Sequence, residues 1–302
     1  MGDMNCLVNK VAVITGGTRG LGLAIARAYA REGAAVALAS RSAEAVEPAV
    51  TLLRGEGAQV SGWACDVGDL IQVEALADHT LDTFGHFDIW VNNAGISAPY
   101  GPTAHIPPES FVTTLQTNIF GVYYGSLVAM RHFLPKHNGK LINMLGQGDR
   151  QPVPLQNAYA SSKVWVRNFT LALAKEYRDS GVGVFAFNPG LMPTSLLTRV
   201  EAVEGYEARL KPLETVLRLW ANPPEVPAAR ALWLASAATD GRTGLEVKVL
   251  TPAHLLGGIL REGLRRLVRR PAPAVEIEVH SVPPAWPIQP AQNIQNEGEA
   301  LP

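Results

Sequence analysis

The 302-residue sequence predicts an α/β fold: a doubly wound, parallel, seven-stranded sheet with helices on both faces. Three observations point there. Short apolar, often β-branched runs alternate with longer stretches of helical apolar spacing. The short runs are continuously apolar, as strands covered on both faces are. A glycine-rich turn stands between the first strand and the first helix.

Residues 11–14 (VAVI) form the first strand and 21–32 the first helix, which Gly33 stops. Strand 36–39 and helix 43–54 follow, the helix closed by Gly55 and Gly57. Strand 60–64 leads to helix 71–84, closed by Gly85. Strand 89–91 leads to a long helix over 109–136, and strand 141–144 to another over 158–178, before Gly181. Strands 184–187 and 246–250 complete the sheet. Right-handed crossovers then wind the units about the sheet. Two stretches fall outside this repeat. Residues 191–224 are too long for a plain connection and partly helical, so they read as a lid over a substrate. Residues 253–302 start as a basic amphipathic helix and end in a Pro-, Gln- and Asn-rich tail. The division is one domain over 1–252 and an extension over 253–302. Within the extension, 275–282 alternates apolar and polar residues, as an edge strand or an exchanged arm does.

Composition narrows the function. Apolar residues make up 47% and charged residues 18%, enough for a large core. The net charge is −1, so no basic field draws the chain to nucleic acid. No apolar run reaches the ~20 residues of a membrane span. The first ten residues lack a signal-peptide plan, and Cys6 and Cys65 form no CxxC, so a reducing cytoplasm is expected. None of the seven histidines has metal-ligand spacing, and no metal is expected. The segment 254–270 carries five Arg and one Glu beside an apolar stripe of Leu256, Ile259, Leu260, Leu264, Leu267 and Val268. Two readings stand. The stripe packs on the domain or a sister subunit with the arginines in water, or the helix makes peripheral contact with an anionic membrane.

The turn reads Thr15-Gly16-Gly17-Thr18-Arg19-Gly20-Leu21-Gly22. Gly16 permits the turn, Gly20 admits a pyrophosphate to the backbone, and Gly22 lets helix and sheet pack closely. The helix N-terminus offers free N–H groups to the phosphates. At the end of the second strand stand Ser40 and Arg41, where an acid would bind a ribose 2′-hydroxyl. With Arg19 in the turn, two guanidinium groups and no carboxylate favour NADP, with NAD as the alternative.

Tyr159 and Lys163 lie four residues apart on a helix, hence on one face. An ammonium near a phenol favours the phenolate, so Lys163 is expected to lower the Tyr159 pKa from about 10. Here the sequence resembles the short-chain dehydrogenase/reductase family over roughly residues 8–250. The likeness rests on the TGxxxGxG turn, Asp66-Val67, Asn92-Asn93-Ala94-Gly95, Asn118, Tyr159 with Lys163, and Pro189-Gly190 followed by Thr194. It implies a Rossmann domain with an adenine contact at Asp66 and Val67. Asn93, Ala94 and Gly95 would line the cofactor, and Asn118 would support a water relay. It makes Tyr159 the general acid/base and Lys163 its tuner and ribose ligand. Pro189, Gly190 and Thr194 would hold the nicotinamide carboxamide. A homodimer or homotetramer is implied through the two long helices.

The sequence departs from the family at Gly146, thirteen residues before Tyr159, where a Ser normally donates to the substrate oxygen. Three accounts compete. Gln147 or Asn143 supplies the donor, a bulky substrate fills the freed volume, or turnover is weak. The Gly146-Gln147-Gly148 run and the segment 189–197 also resemble the chlorophyll b reductase branch. The walls around the reacting carbon, including Leu191 and Met192, are apolar, which suits an apolar carbonyl/alcohol pair. Asp149 and Arg150 read as polar specificity contacts or, more plainly, as a solvated loop pair. The leading function is an NADP-dependent oxidoreductase; the alternative is an NADP-binding regulatory or interaction protein with little turnover.

Overall fold

The computed structural model describes residues 5–268 and 275–287. Arg269, Arg270 and the Pro-rich tail from 288 onward lie outside the described residues. Seven strands form one all-parallel sheet: β1 (Val11–Thr15), β2 (Ala35–Ser40), β3 (Val60–Ala64), β4 (Ile89–Asn92), β5 (Gly139–Met144), β6 (Val182–Asn188) and, after an excursion that holds β7 (Arg199–Val203), β8 (Glu246–Lys248). The order across the sheet is β3-β2-β1-β4-β5-β6-β8. The direction of winding therefore reverses between β1 and β4, and the crevice at their carboxyl ends is where this architecture receives ligands.

The helices are α1 (Gly20–Arg31), α2 (Ala43–Gly55), α3 (Leu70–Phe84), α4 (Pro108–Leu115), α5 (Gly121–Phe133), α6 (Asn157–Glu176), the single turn α7 (Ser195–Thr198), α8 (Lys211–Trp220), α9 (Glu225–Ala235) and α10 (Pro252–Leu267). Side chains alternate along β1. Ala12 and Ile14 enter one buried cluster with Ile25, Leu53 and Ala231. Val11 and Val13 enter a second with Leu76, Phe133 and Ala174. This is why the strands read as unbroken apolar runs: both faces are covered.

Four differences from the sequence reading have physical causes. The long helix over 109–136 is interrupted by a π-helical turn, Gln116–Phe120, between α4 and α5. The extra residue turns Asn118 into the protein, where it is fully buried. Helix α9 has no counterpart in that reading. It is alanine-rich and offers little polar contrast, yet it covers α1, where the Tyr29 hydroxyl donates to the Ala231 carbonyl at 2.9 Å. Residues 275–282 hold the edge strand that the alternation suggests, but it lies apart from the main sheet. Within them β9 (Glu278–Val282) pairs in parallel with β7 of the same chain, Val200 opposite Val279.

The fourth difference concerns α10. It packs on α8: the Trp220 indole N–H donates to the Leu255 carbonyl at 3.0 Å, and Arg218 meets Glu262 at 3.7 Å. The polar side of α10 thus faces the protein, and its leucine stripe faces away. The expected packing of the stripe on its own domain does not occur.

The excursion over 191–224 is consequently held from two sides. Strand β9 and helix α10, both from the extension, brace β7 and α8 respectively. On the other edge of β7, the Tyr100 N–H donates to the Glu201 carbonyl at 2.8 Å and the Val203 N–H to the Tyr100 carbonyl at 3.0 Å.

Candidate active site

At the carboxyl ends of β1 and β4 the backbone is stitched by two side chains. The Thr15 hydroxyl accepts from the N–H groups of Asn93 and Ala94 at 3.0 and 3.1 Å. The Asn93 amide donates to the carbonyls of Thr15 and Gly16, both at 3.0 Å. This holds two loops so close that only glycine fits between them. A Cβ on Gly16 would stand 2.9 Å from the Ala94 Cα, and one on Gly22 would overlap the Gly16 carbonyl oxygen. Thr15 is a structural partner that the motif contains but does not advertise.

Helix α1 starts above this cleft without a side-chain cap at Arg19 and without an acid in its first turn. Its first N–H groups are therefore open to an anion. The turn after β6 lies over it: the Thr194 methyl is 3.3 Å from where a Gly20 Cβ would sit. Pro189 is buried, and Gly190 takes φ +77°, its N–H donating to Asn188 Oδ1 at 3.0 Å. Leu191 accepts from the Asn222 N–H at 2.9 Å, and Met192 is buried. At the ends of β2 and β3, Ser40 is half-buried, while Arg41, Arg19 and Asp66 are exposed. Asp66 Oδ1 accepts from the Gly68 N–H at 2.9 Å, and Val67 is buried beneath it. An uncapped helix start, a backbone-lined cleft and an exposed cationic rim fit a dinucleotide whose pyrophosphate sits on the turn.

Tyr159 and Lys163 project from the first half of α6 toward the end of β5. Lys163 is buried, its Nζ 5.5 Å from the centre of the Tyr159 ring and donating to the Met144 carbonyl at 3.1 Å. Asn118 stands across from them. Its amide oxygen accepts from the Ile96 N–H at 3.0 Å, and its amide nitrogen donates to the Ile96 carbonyl at 2.9 Å and to the Ser162 hydroxyl at 3.0 Å. A Cβ on Gly95 would lie 3.4 Å from Asn118 Oδ1 and 3.7 Å from Lys163 Nζ, which brings the loop after β4 to the same point. Ser162 joins Asn118 to α6.

Gly146 holds the phenol. A Cβ there would overlap the Tyr159 hydroxyl oxygen and stand 3.0 Å from Cζ. The volume released by the absent serine is thus taken by Tyr159 itself, not left for a bulky substrate. Asn143 does not supply the missing donor either. It is fully buried, donating to the Thr170 hydroxyl at 3.0 Å and accepting from Asn92 at 2.8 Å. Gln147 is exposed on the loop.

Asp149 and Arg150 are not a solvated pair. Arg150 is exposed and bonded to Glu246, which also receives Arg167 at 2.8 Å. Asp149 is buried and is held by the Asn188 amide at 3.0 Å and by Lys248 at 3.3 Å. The same Asn188 amide donates to the Gly146 carbonyl at 3.2 Å, tying the carboxylate to the residue under the phenol.

Electrostatics follow burial. Desolvation pushes the Tyr159 phenol up to about 12, and the Asp149 carboxylate adds to the rise. Desolvation pushes the Lys163 ammonium down to about 8. The expected lowering of the phenol is therefore absent from the protein alone, where burial and Asp149 both raise it. The group stays protonated near neutrality, so the arrangement presents an acid. Its conversion to a base requires further positive charge nearby.

Comparisons with known proteins agree with this geometry. The short chain dehydrogenase family model matches residues 10–205. The 3beta-hydroxysteroid dehydrogenase 1 of Eggerthella lenta is 35% identical over 240 residues, 79% of this chain and 91% of that protein. The D-threitol dehydrogenase of Mycolicibacterium smegmatis is 32% identical over 243 residues, 80% of this chain and 92% of that one. A probable chlorophyll(ide) b reductase of rice, described as chloroplastic, is 33% identical over 273 residues; the match covers 84% of this chain and 52% of that longer protein. No helix among the described residues is long and apolar enough to cross a membrane. With a parallel doubly wound sheet, an uncapped phosphate turn and this match over most of its length, the chain belongs to the short-chain dehydrogenase family and is an oxidoreductase using a nicotinamide cofactor, NAD or NADP.

Proposed function

We propose that this chain is an NADP-dependent oxidoreductase that interconverts a carbonyl and an alcohol on a largely apolar substrate. The observation that carries this reading is the convergence of Tyr159, Lys163 and Asn118 from α6 and the π turn onto one point, at the ends of β4 and β5. Tyr159 gives its proton to the substrate oxygen during reduction and takes it back during oxidation. Lys163 binds the ribose, and its charge offsets part of the cost of a phenolate. Asn118, its amide fixed by Ser162 and the Ile96 backbone, supports a water relay. The cofactor supplies or accepts the hydride. Residues 16–22 of the turn, with Thr18 and Leu21 among them, hold its phosphates. Asp66 and Val67 meet the adenine, Asn93, Ala94 and Gly95 line the cleft, and Pro189, Gly190 and Thr194 hold the carboxamide. Gly146, Gln147, Leu191 and Met192 border the substrate.

The choice of NADP rests on Arg19 and Arg41. Both are exposed, and neither has an ion-pair partner among the described residues. An arginine binds a 2′-phosphate well, and no acid stands at the end of β2 to repel one. Self-association is part of the reading. Val112, Phe120 and Tyr123 are exposed on the helix run from α4 to α5, and that face suits a homodimer or homotetramer contact.

The test measures NADPH and NADH oxidation with a panel of apolar ketones and aldehydes, for wild type and Arg41→Asp. Wild type prefers NADPH, and the variant shifts the NADPH/NADH ratio of kcat/KM toward NADH by roughly 10- to 100-fold. An unchanged ratio contradicts the cofactor assignment. Tight NADPH binding with no turnover on any compound replaces the enzyme reading with a regulatory one.

A further inference from the structure

Helix α10 is mounted inside out. On an ordinary surface helix the apolar stripe packs on the core and the charges face water. Here Gly258 is buried and the Glu262 side chain is only 12% exposed, turned inward to Arg218 at 3.7 Å and Arg265 at 2.7 Å. The outward face is Leu256, Leu260, Leu264 and Leu267, spaced three and four apart, with exposures of 62, 72, 63 and 81%. Ile259 and Val268 flank it at 55 and 56%. The docking of α10 does not hide this face, because the contacts that fix the helix lie on its opposite side: Trp220 to the Leu255 carbonyl, His254 to the Trp220 carbonyl at 3.2 Å, and the Glu262 cluster.

We propose that the outward face of α10 docks the chain on an anionic lipid surface, with the leucines in the acyl boundary and Arg261 at the headgroups. Charge selects this occupant over a second copy. Residues 254–270 hold five arginines and one glutamate. Arg261, the first of them, is exposed beside the leucine row. Pairing two copies would bring together two segments that each hold five arginines against one glutamate by sequence, and that glutamate, Glu262, points inward to α8. An anionic headgroup layer meets the same arginines with opposite charge, and the combination of an apolar row with cationic flanks is what binds such surfaces. Because α10 is bolted to α8, docking places the lid at the membrane boundary, where an apolar substrate concentrates. That last step rests on the substrate reading above; the docking itself does not.

Vesicle flotation of the full chain tests this, with phosphatidylglycerol and phosphatidylcholine vesicles at low and high salt. Wild type floats with phosphatidylglycerol, roughly tenfold less with phosphatidylcholine, and less at high salt. The double variant Leu260→Asp/Leu264→Asp loses flotation about tenfold while keeping its Tm, its mass by light scattering and its turnover in solution. Absence of wild-type flotation on either vesicle overturns the proposal, as does flotation unaltered in the double variant. A fall in oligomer mass in that variant, without vesicles, assigns the face to a second copy instead. If turnover is absent but flotation behaves as stated, the docking stands and the enzymatic reading fails.

Discussion

The cleft between β1 and β4 and the excursion over 191–224, proposed as its lid, are held by opposite strategies. At the cleft, Thr15 and Asn93 bond to backbone atoms, and glycines let the loops touch. Nothing there depends on a distant element except the sheet itself. At the lid, β7 and α8 are fixed by β9 and α10, which arrive from the far end of the chain. The first arrangement rests on close backbone approach; the second rests on a two-stranded ladder and a helix pair. A dinucleotide needs one fixed shape, whereas a substrate pocket gains from walls that can change independently of it.

After removal of the phenol itself, substitution at Gly146 gives the largest expected effect. If the residue is a close-approach glycine, Gly146→Ser pushes the phenol aside and kcat/KM falls roughly 100-fold, with cofactor affinity unchanged by fluorescence titration. If the site merely lacks a donor, the same substitution raises activity, and the reading of a filled volume is wrong. Next in size, a chain ending before residue 275 loses β9. The lid then loosens, KM rises about three- to tenfold, and kcat changes less, by steady-state kinetics. Equal parameters for the shortened chain would show that β9 does not brace the lid.

The smallest effect concerns Asp149. Its carboxylate raises the phenol pKa, so Asp149→Asn lowers it. A lower pKa means more phenolate at a given pH, and alcohol oxidation needs the phenolate. Oxidation at pH 8.5 should therefore rise about threefold, one pKa unit corresponding to tenfold in phenolate below the pKa. Carbonyl reduction at pH 7 should hardly change, because the phenol is still protonated there. A flat oxidation rate across the pair would remove Asp149 from the account.

The same contrast explains what the sequence reveals. Strands β1 to β6, helices α1 to α3 and the cleft are legible because their determinants are local: a period, a cap, a glycine. Tyr159 and Lys163 are legible by their spacing and Asn118 by the family resemblance, but the π turn that aims Asn118 is not, since 109–136 reads as helical throughout. Asp149 is adjacent to Arg150 in sequence, yet its partners are Asn188 at the end of β6 and Lys248 in β8. Spacing cannot show that, because both partners arrive by sheet order. The outward face of α10 is the clearest case. An amphipathic pattern fixes which residues share a face, and only the packing on α8 decides where that face points. The phenol's pKa behaves likewise: the pair Tyr159 and Lys163 predicts a fall, and burial with Asp149 raises it instead.

The most direct measurement is cofactor binding and turnover by Tyr159→Phe, side by side with wild type. The account predicts NADPH affinity within about twofold of wild type and a loss of carbonyl reduction of 10³-fold or more, roughly 4 kcal/mol of transition-state stabilisation. Turnover retained within tenfold by the phenylalanine variant would contradict it, because the proton would then come from another group.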